Sequence, residues 1–233
     1  MALAKQETTI NNANDNTNES QNDMNNNDNN NNNNEASNDL EERTQELSKQ
    51  QLPLQYRWTL WHTAPTQGGG WSDDYKQIAH FDTVETFWRL FNNIAPPSLL
   101  QPGSSYHLFK GKVKPAWEDK FNKHGGALKY VFGSGQNGAH NANYSWYHTV
   151  LNLIGNNFEL SEEICGVVVN IKKQHKGKIE LWIKDASNED KIRNIGKQFK
   201  MFCNPNNRNT DVEFQSFESQ LNKSKRGTGK IRI

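Results

Sequence analysis

Trp117 is followed at once by a carboxylate, Glu118, inside the stretch Val-Lys-Pro-Ala-Trp-Glu-Asp that runs from Val113 to Asp119. An exposed indole presents a π-face of negative quadrupole, so a cationic ring stacks on it better than a neutral one. The carboxylate beside it can accept two N–H bonds from one edge of a guanine. The pair therefore suits a flat, positively charged base. Most tryptophans pack cores, so the pair gains meaning only from its company. Trp71 stands just beyond the run Gly68-Gly69-Gly70, a position poor for core packing and good for an open site. Lys172, Lys173, Lys176 and Lys178 crowd one short turn and supply charge for an anionic partner.

Other chemistry is missing from the sequence. It has no Gly-Lys-Ser/Thr phosphate loop and no nucleophile elbow. Its 7 histidines lack metal-ligand spacing. Asp73-Asp74 and Glu162-Glu163 are adjacent pairs, which point apart on a strand or turn. Two cysteines, Cys165 and Cys203, are too few for a disulfide framework, which places the chain in a reducing compartment. Cys165 sits in Ile-Cys-Gly-Val-Val-Val, which reads as a buried strand rather than a nucleophile's setting. What remains is stacking plus charge: a binding protein, with no enzyme activity, cofactor or metal expected.

The elements that must position these residues occupy only part of the 233-residue chain. From Asn11 to Asn34, fifteen of twenty-four residues are Asn, too polar to offset the entropy of ordering. Residues 1–50 are expected to be disordered, and residues 51–233 to form one domain. The overall charge of +1 hides an asymmetry, because residues 1–50 carry −7 and the remainder +8. A basic domain favours an anionic partner. No apolar run is long enough for a membrane helix, and no membrane association is expected.

Pro53 to His62 alternates as a strand, with Tyr56, Trp58 and Leu60 on one parity. Thr63 to Gly70 reads as a mobile loop. Asp82 is the expected cap of a helix running to about Asn93, with Glu85 reaching back to it. Trp88 falls at the edge of that helix's apolar arc, a place for a partner contact. Strands are expected over Ser105–Phe109, Ala127–Phe132, Ile164–Ile171, Ile179–Ile183 and Val212–Phe217. Gly133 to Asn141 reads as a loop, followed by a helix over Asn143–Ile154 that ends at Gly155. On that helix Trp146, Val150 and Leu153 form a core stripe, and Tyr147, Leu151 and Ile154 a second stripe. A further amphipathic helix spans Asn188 to about Cys203. Three spaced helices among strands with no βαβ rhythm indicate an α+β fold with a largely antiparallel sheet.

These residues resemble a known family, the proteins of translation initiation factor 4E type, which bind the 7-methylguanosine cap of mRNA. The resemblance spans roughly residues 52–233. It rests on Pro-Leu-Gln-Tyr-Arg-Trp (53–58), Phe-Asp-Thr-Val-Glu-Thr-Phe-Trp (81–88), Lys-Pro-Ala-Trp-Glu-Asp (114–119), Ile-Cys-Gly-Val-Val-Val-Asn (164–170) and Ile-Glu-Leu-Trp (179–182). All 7 tryptophans stand where that family places one. It implies a curved, mainly antiparallel sheet with three helices on the convex face and a cap slot on the concave face. Trp71 and Trp117 match the two indoles that sandwich the methylated guanine. Glu118 matches the carboxylate that accepts its N1 and N2 protons, and Trp182 the residue at the N7-methyl group. Lys172 and Lys178 match the basic residues for the triphosphate. Pro53, Val84, Trp88, Tyr147 and Leu151 match the dorsal surface. There, a 4G-type scaffold or a 4E-binding repressor docks a helix carrying Tyr-x4-Leu-Φ, where Φ is hydrophobic.

The chain also departs from the pattern. Leu52 stands where a His is common, and Ala127-Leu128 where Arg-Trp follows the Gly-Gly turn. The first phosphate residue, usually Arg, is Lys172, which lacks a bidentate fork. The hairpin is one residue longer, which leaves Lys172 or Lys173 for that role. Tyr147 and His148 replace an aliphatic and an acid. Trp at both 58 and 71 favours the conventional initiation class over the divergent, repressive one.

The resemblance thus implies a non-enzymatic protein that joins capped mRNA to a 4G-type scaffold, located in the cytoplasm and in part the nucleus. Its rivals are a cap-binding repressor of the same fold and a generic binder of single-stranded RNA. A decapping hydrolase would need an acidic metal cluster that the sequence lacks. Ser224, among lysines, is a candidate phosphorylation site.

Overall fold

The computed structural model describes residues 51–65, 74–204, 211–221 and 230–233. Trp71, Ser224, the Asn-rich segment and most of the Thr63–Gly70 loop lie outside the described residues. β1 (Pro53–Thr63), β2 (Lys76–Thr83), β3 (Ser105–Lys110), β4 (Gly126–Phe132), β5 (Ile164–Ile171), β6 (Gly177–Ile183), β7 (Val212–Ser216) and β8 (Ile231–Arg232) form one sheet. Its strand order is β2-β1-β3-β5-β6-β4-β7-β8, and every pairing is antiparallel. The longer helices are α1 (Val84–Phe91), α2 (Gly135–Ile154) and α3 (Glu189–Cys203), and a short α4 (Phe217–Leu221) follows β7. The curved sheet with its three longer helices is the α+β architecture that the sequence implied.

Period-two alternation sorts each strand between two faces. Trp58, Leu60, Leu108, Leu128, Val167, Val169, Ile179 and Leu181 point back and pack with Phe87, Trp146, Val150, Leu153, Ile192, Ile195 and Phe199 of the helices. Trp58 and Val150 are 0 % exposed. Burial of one such side chain stabilises by roughly 1.5–3 kcal/mol. A smaller apolar cluster occupies the opposite, concave face: Phe109, Ala127, Cys165, Val168, Trp182 and Phe217.

Several boundaries differ from the sequence reading. The cap of α1 is Thr83, not Asp82. Thr83 Oγ1 accepts from the Thr86 amide at 3.2 Å while Thr86 Oγ1 accepts from the Thr83 amide at 3.3 Å. Glu85 instead accepts from the Leu52 amide at 3.1 Å, which ties the start of β1 to α1. Helix α1 stops at Phe91 rather than Asn93. Residues 135–141 are helix, so α2 begins well before Asn143. Gly138 lies where a Cβ would collide with the carbonyl of Gly133 and that of His175, so close packing, not flexibility, explains that glycine. Phe217 opens α4 instead of ending β7. Gly155 closes α2, as the sequence indicates.

Candidate ligand slot and partner face

The segment carrying Trp117 and Glu118 links β3 to β4, and its path is fixed by short-range bonds. Gly111 starts it with a positive φ of 54°, a conformation that favours glycine. The Gly111 amide donates to Arg57 O at 2.6 Å, and its carbonyl accepts from Thr59 Oγ1 at 2.6 Å. Asn122, 0 % exposed, donates from its side-chain amide to Lys114 O at 2.9 Å and Ala116 O at 2.8 Å. Asp119 Oδ1 accepts from the Phe121 amide at 2.9 Å. With Pro115 buried beneath it, the segment holds Trp117 out at 40 % exposure, and Glu118 beside it is exposed.

Trp117 borders a cavity of about 390 Å³ whose other walls are Tyr75, Lys178, Glu180, Trp182, Phe217, Gln220 and Leu221. Trp182 is 6 % exposed, packed edge-on against Phe109 (centroids 5.2 Å, 89°) and tilted against Phe217 at 4.5 Å. Its indole therefore forms a fixed floor while Trp117 forms an open wall. Lys178 reaches the same cavity and donates to Glu180 Oε1 at 2.8 Å. Burial holds its ammonium below the ordinary lysine pKa, and the Glu180 carboxylate opposes that shift.

Of the residues expected at the slot, Trp117, Lys178 and Trp182 line one cavity. Glu118 adjoins Trp117 in sequence without lining that cavity. Lys172 is exposed at the end of β5, where its amide donates to Lys176 O at 2.6 Å. Its charge acts on Lys178, and lowers the Lys178 pKa slightly. Trp71 lies outside the described residues. Sequence reasoning missed Tyr75, Glu180, Phe217, Gln220 and Leu221. Glu180 was open to detection, because alternation along β6 places it on one face with Lys178 and Trp182.

The residues expected at the partner face gather around α1 and α2. Pro53 pairs with Thr83, and the Val84 amide donates to Leu52 O at 2.9 Å, so Pro53 and Val84 adjoin at the head of α1. Trp88 is half-buried; its ring meets Phe87 at 4.9 Å and Tyr147 at 6.5 Å. Tyr147 is 38 % exposed, and Leu151 follows it by one helical turn, packed against the core.

The model of the family described as "Eukaryotic initiation factor 4E" matches residues 53–231. The 4E factor of Solanum etuberosum, allele Eva1, is 40 % identical over 153 residues, which are 64 % of this chain and 64 % of that one. The chain thus spans about two thirds of the length of such curated relatives. Among solved structures, C. elegans eIF4E-3 in complex with the 4E-binding protein Mextli superposes with a TM-score of 0.69 at 32 % identity, covering 73 % of this chain and 96 % of that one. Ascaris suum eIF4E-3 in complex with the m7G cap gives a TM-score of 0.67 at 36 % identity, covering 72 % and 92 %. The architecture, the matched span and these likenesses agree, and the chain belongs to the eukaryotic initiation factor 4E family.

Proposed function

We propose that the chain binds the 7-methylguanosine cap of mRNA without enzymatic chemistry and joins it to a 4G-type scaffold or a 4E-binding repressor. The observation that carries this reading is the cavity between Trp117 and Trp182, with the Lys178 ammonium in its wall. Trp117 stacks on the methylated base, and Trp71 is its partner on the other side. N7 methylation makes the base cationic, so the indole faces favour it over plain guanine. Glu118 accepts from the N1 and N2 protons as a charge-assisted pair. Trp182 sets the depth of the slot at the N7-methyl group, and Lys172 and Lys178 take the phosphates. The likeness to a cap-bound Ascaris factor supports this half of the reading.

The second half rests on the face formed by Pro53, Val84, Trp88, Tyr147 and Leu151, and on the likeness to a C. elegans factor complexed with a 4E-binding protein. An amphipathic helix laid across that face is a helix-in-groove contact anchored by apolar side chains. The protein acts in the cytoplasm, with a nuclear fraction.

The deciding experiment is retention on immobilised 7-methylguanosine triphosphate. Glu118→Ala is expected to abolish it, because losing two charge-assisted bonds of about 1.5–3 kcal/mol each is large against a small ligand's affinity. Retention equal to that of the wild type overturns the assignment. Equal affinity of the wild type for methylated and unmethylated analogues favours the generic RNA binder instead.

A further inference from the structure

The floor of the slot carries a charge cluster that none of the sequence motifs contains. Glu180 on β6 is 4 % exposed. Its Oε1 lies 2.8 Å from Lys178 Nζ and 3.5 Å from Lys129 Nζ. Lys129 comes from β4, where the sheet register sets it directly opposite Glu180. Lys178 precedes Glu180 by two residues on β6 and so shares its face. Trp182, two residues further on, shares that face as well and lines the same cavity. The indole, the carboxylate and the Lys178 ammonium therefore step along one strand, with Lys129 beside the middle step.

One lysine would balance one buried carboxylate. Here two converge on a single oxygen, and the cluster carries a net positive charge. Both lysine side chains keep a path to solvent, at 18 % and 23 % exposure. An ammonium has three donors, and that of Lys129, 3.5 Å from Glu180 Oε1, can turn one towards an incoming anion while it stays beside the carboxylate. Ala127, two residues before Lys129 on the same face of β4, is buried against Trp182 and brings no charge. Lys129 does not itself line the cavity, but through its contact with Glu180 it is the residue by which β4 brings a cation beside this floor.

We propose that Lys129 binds the phosphate chain of the cap together with Lys178, both held in place by Glu180. This rests on the cap-binding reading above and adds to it a cation from β4. A ligand whose base lies near Trp182 runs its phosphates along β6 past Glu180, within reach of both ammoniums. Glu180 acts as a positioning residue, because it keeps two like charges together.

The test compares affinities for 7-methylguanosine mono-, di- and triphosphate, read by quenching of tryptophan fluorescence at two salt concentrations. In the wild type, affinity is expected to rise with each added phosphate. Lys129→Met is expected to cut the gain from mono- to triphosphate about tenfold and to make the salt dependence shallower. Lys129→Arg is expected to restore the gain, and Lys197→Met, on the exposed side of α3, to leave it unchanged. If the Met variant fails to fold, Lys129→Gln keeps a partner for Glu180 and carries the same expectation. A wild-type phosphate gain in the Met or Gln variant overturns the proposal and makes the cluster a folding element only. A wild type that binds none of the three ligands overturns the cap-binding reading first and the proposal with it.

Discussion

The buried side-chain amide of Asn122 donates to the carbonyl of Ala116 at 2.8 Å, one residue before the exposed Trp117. The same amide reaches Lys114 O at 2.9 Å, so one side chain spans the turn that carries the Trp117 indole. The precision of that wall therefore depends on a residue that lies below the slot. Asn122→Ala leaves two carbonyls without their donor. It is expected to lower stability by about 1–3 kcal/mol and to weaken 7-methylguanosine binding through loss of position. Urea denaturation and a fluorescence titration check both effects. Unchanged binding in a destabilised variant would limit Asn122 to a structural role.

Trp88 is expected to separate the two faces. Its ring packs on Phe87, Phe91 and Tyr147, on the side of the sheet opposite the slot. Trp88→Ala should leave cap retention intact and weaken binding of a Tyr-x4-Leu-Φ helix by about 2 kcal/mol or more, the cost typical of an interface hot spot. Calorimetry with a scaffold-derived peptide measures this. A wild type that binds no 4G-type peptide, but still binds cap, places the protein among the repressors.

His107 predicts a pH dependence of stability. It is 1 % exposed, with Nε2 3.2 Å from Thr63 Oγ1 and its ring edge-on to Tyr75 at 5.3 Å. Burial, with a smaller contribution from the nearby His62, lowers its pKa from 6.5 to about 3. The folded state thus holds the ring neutral while the unfolded chain takes up a proton below about pH 6.5. This contribution is fully present above pH 6.5 and is lost as the pH falls towards 3. The slope is about 1.4 kcal/mol per pH unit, so about 2 kcal/mol should disappear between pH 6.5 and 5. Denaturation curves of wild type and His107→Ser at both pH values isolate the effect. Parallel loss in the two proteins would refute it, as would an imidazole NMR signal showing protonation of His107 at pH 5.

The parts of this fold legible in the sequence are those where one face is apolar and the other is not. Ile164–Ile171, Ile179–Ile183 and the Trp146-Val150-Leu153 stripe were readable because burial requires that pattern. β2 was not, because Lys-Gln-Ile-Ala-His-Phe-Asp-Thr lies at a sheet edge and buries only Phe81. The α1 cap was misplaced by one residue because Asp82 and Thr83 are both good caps. Backbone geometry chose Thr83, since β2 continues through Asp82. The start of α2 was hidden by two poor helix formers: Gly135, whose φ of 72° favours glycine, and Gly138, whose Cβ would collide with the carbonyls of Gly133 and His175.

The site divides in the same way. Trp117, Glu118 and Trp182 stood out through residue type and motif. Lys129 did not, because its meaning comes from register: Lys129 and Glu180, 51 positions apart, face each other across neighbouring strands. Antiparallel register is set by the whole sheet and cannot be read from either strand alone.

A sheet one layer thick, backed by helices and open in front, constrains its residues unequally. Leu128 points back into the core at 0 % exposure and can change only within the volume its neighbours leave. Ala127 and Lys129 point forward, where a change alters what the slot attracts while the packing behind stays as it was. Strand β4 can therefore exchange or relocate a charge without touching the core behind it, and ligand preference in such a scaffold is free to drift faster than its architecture.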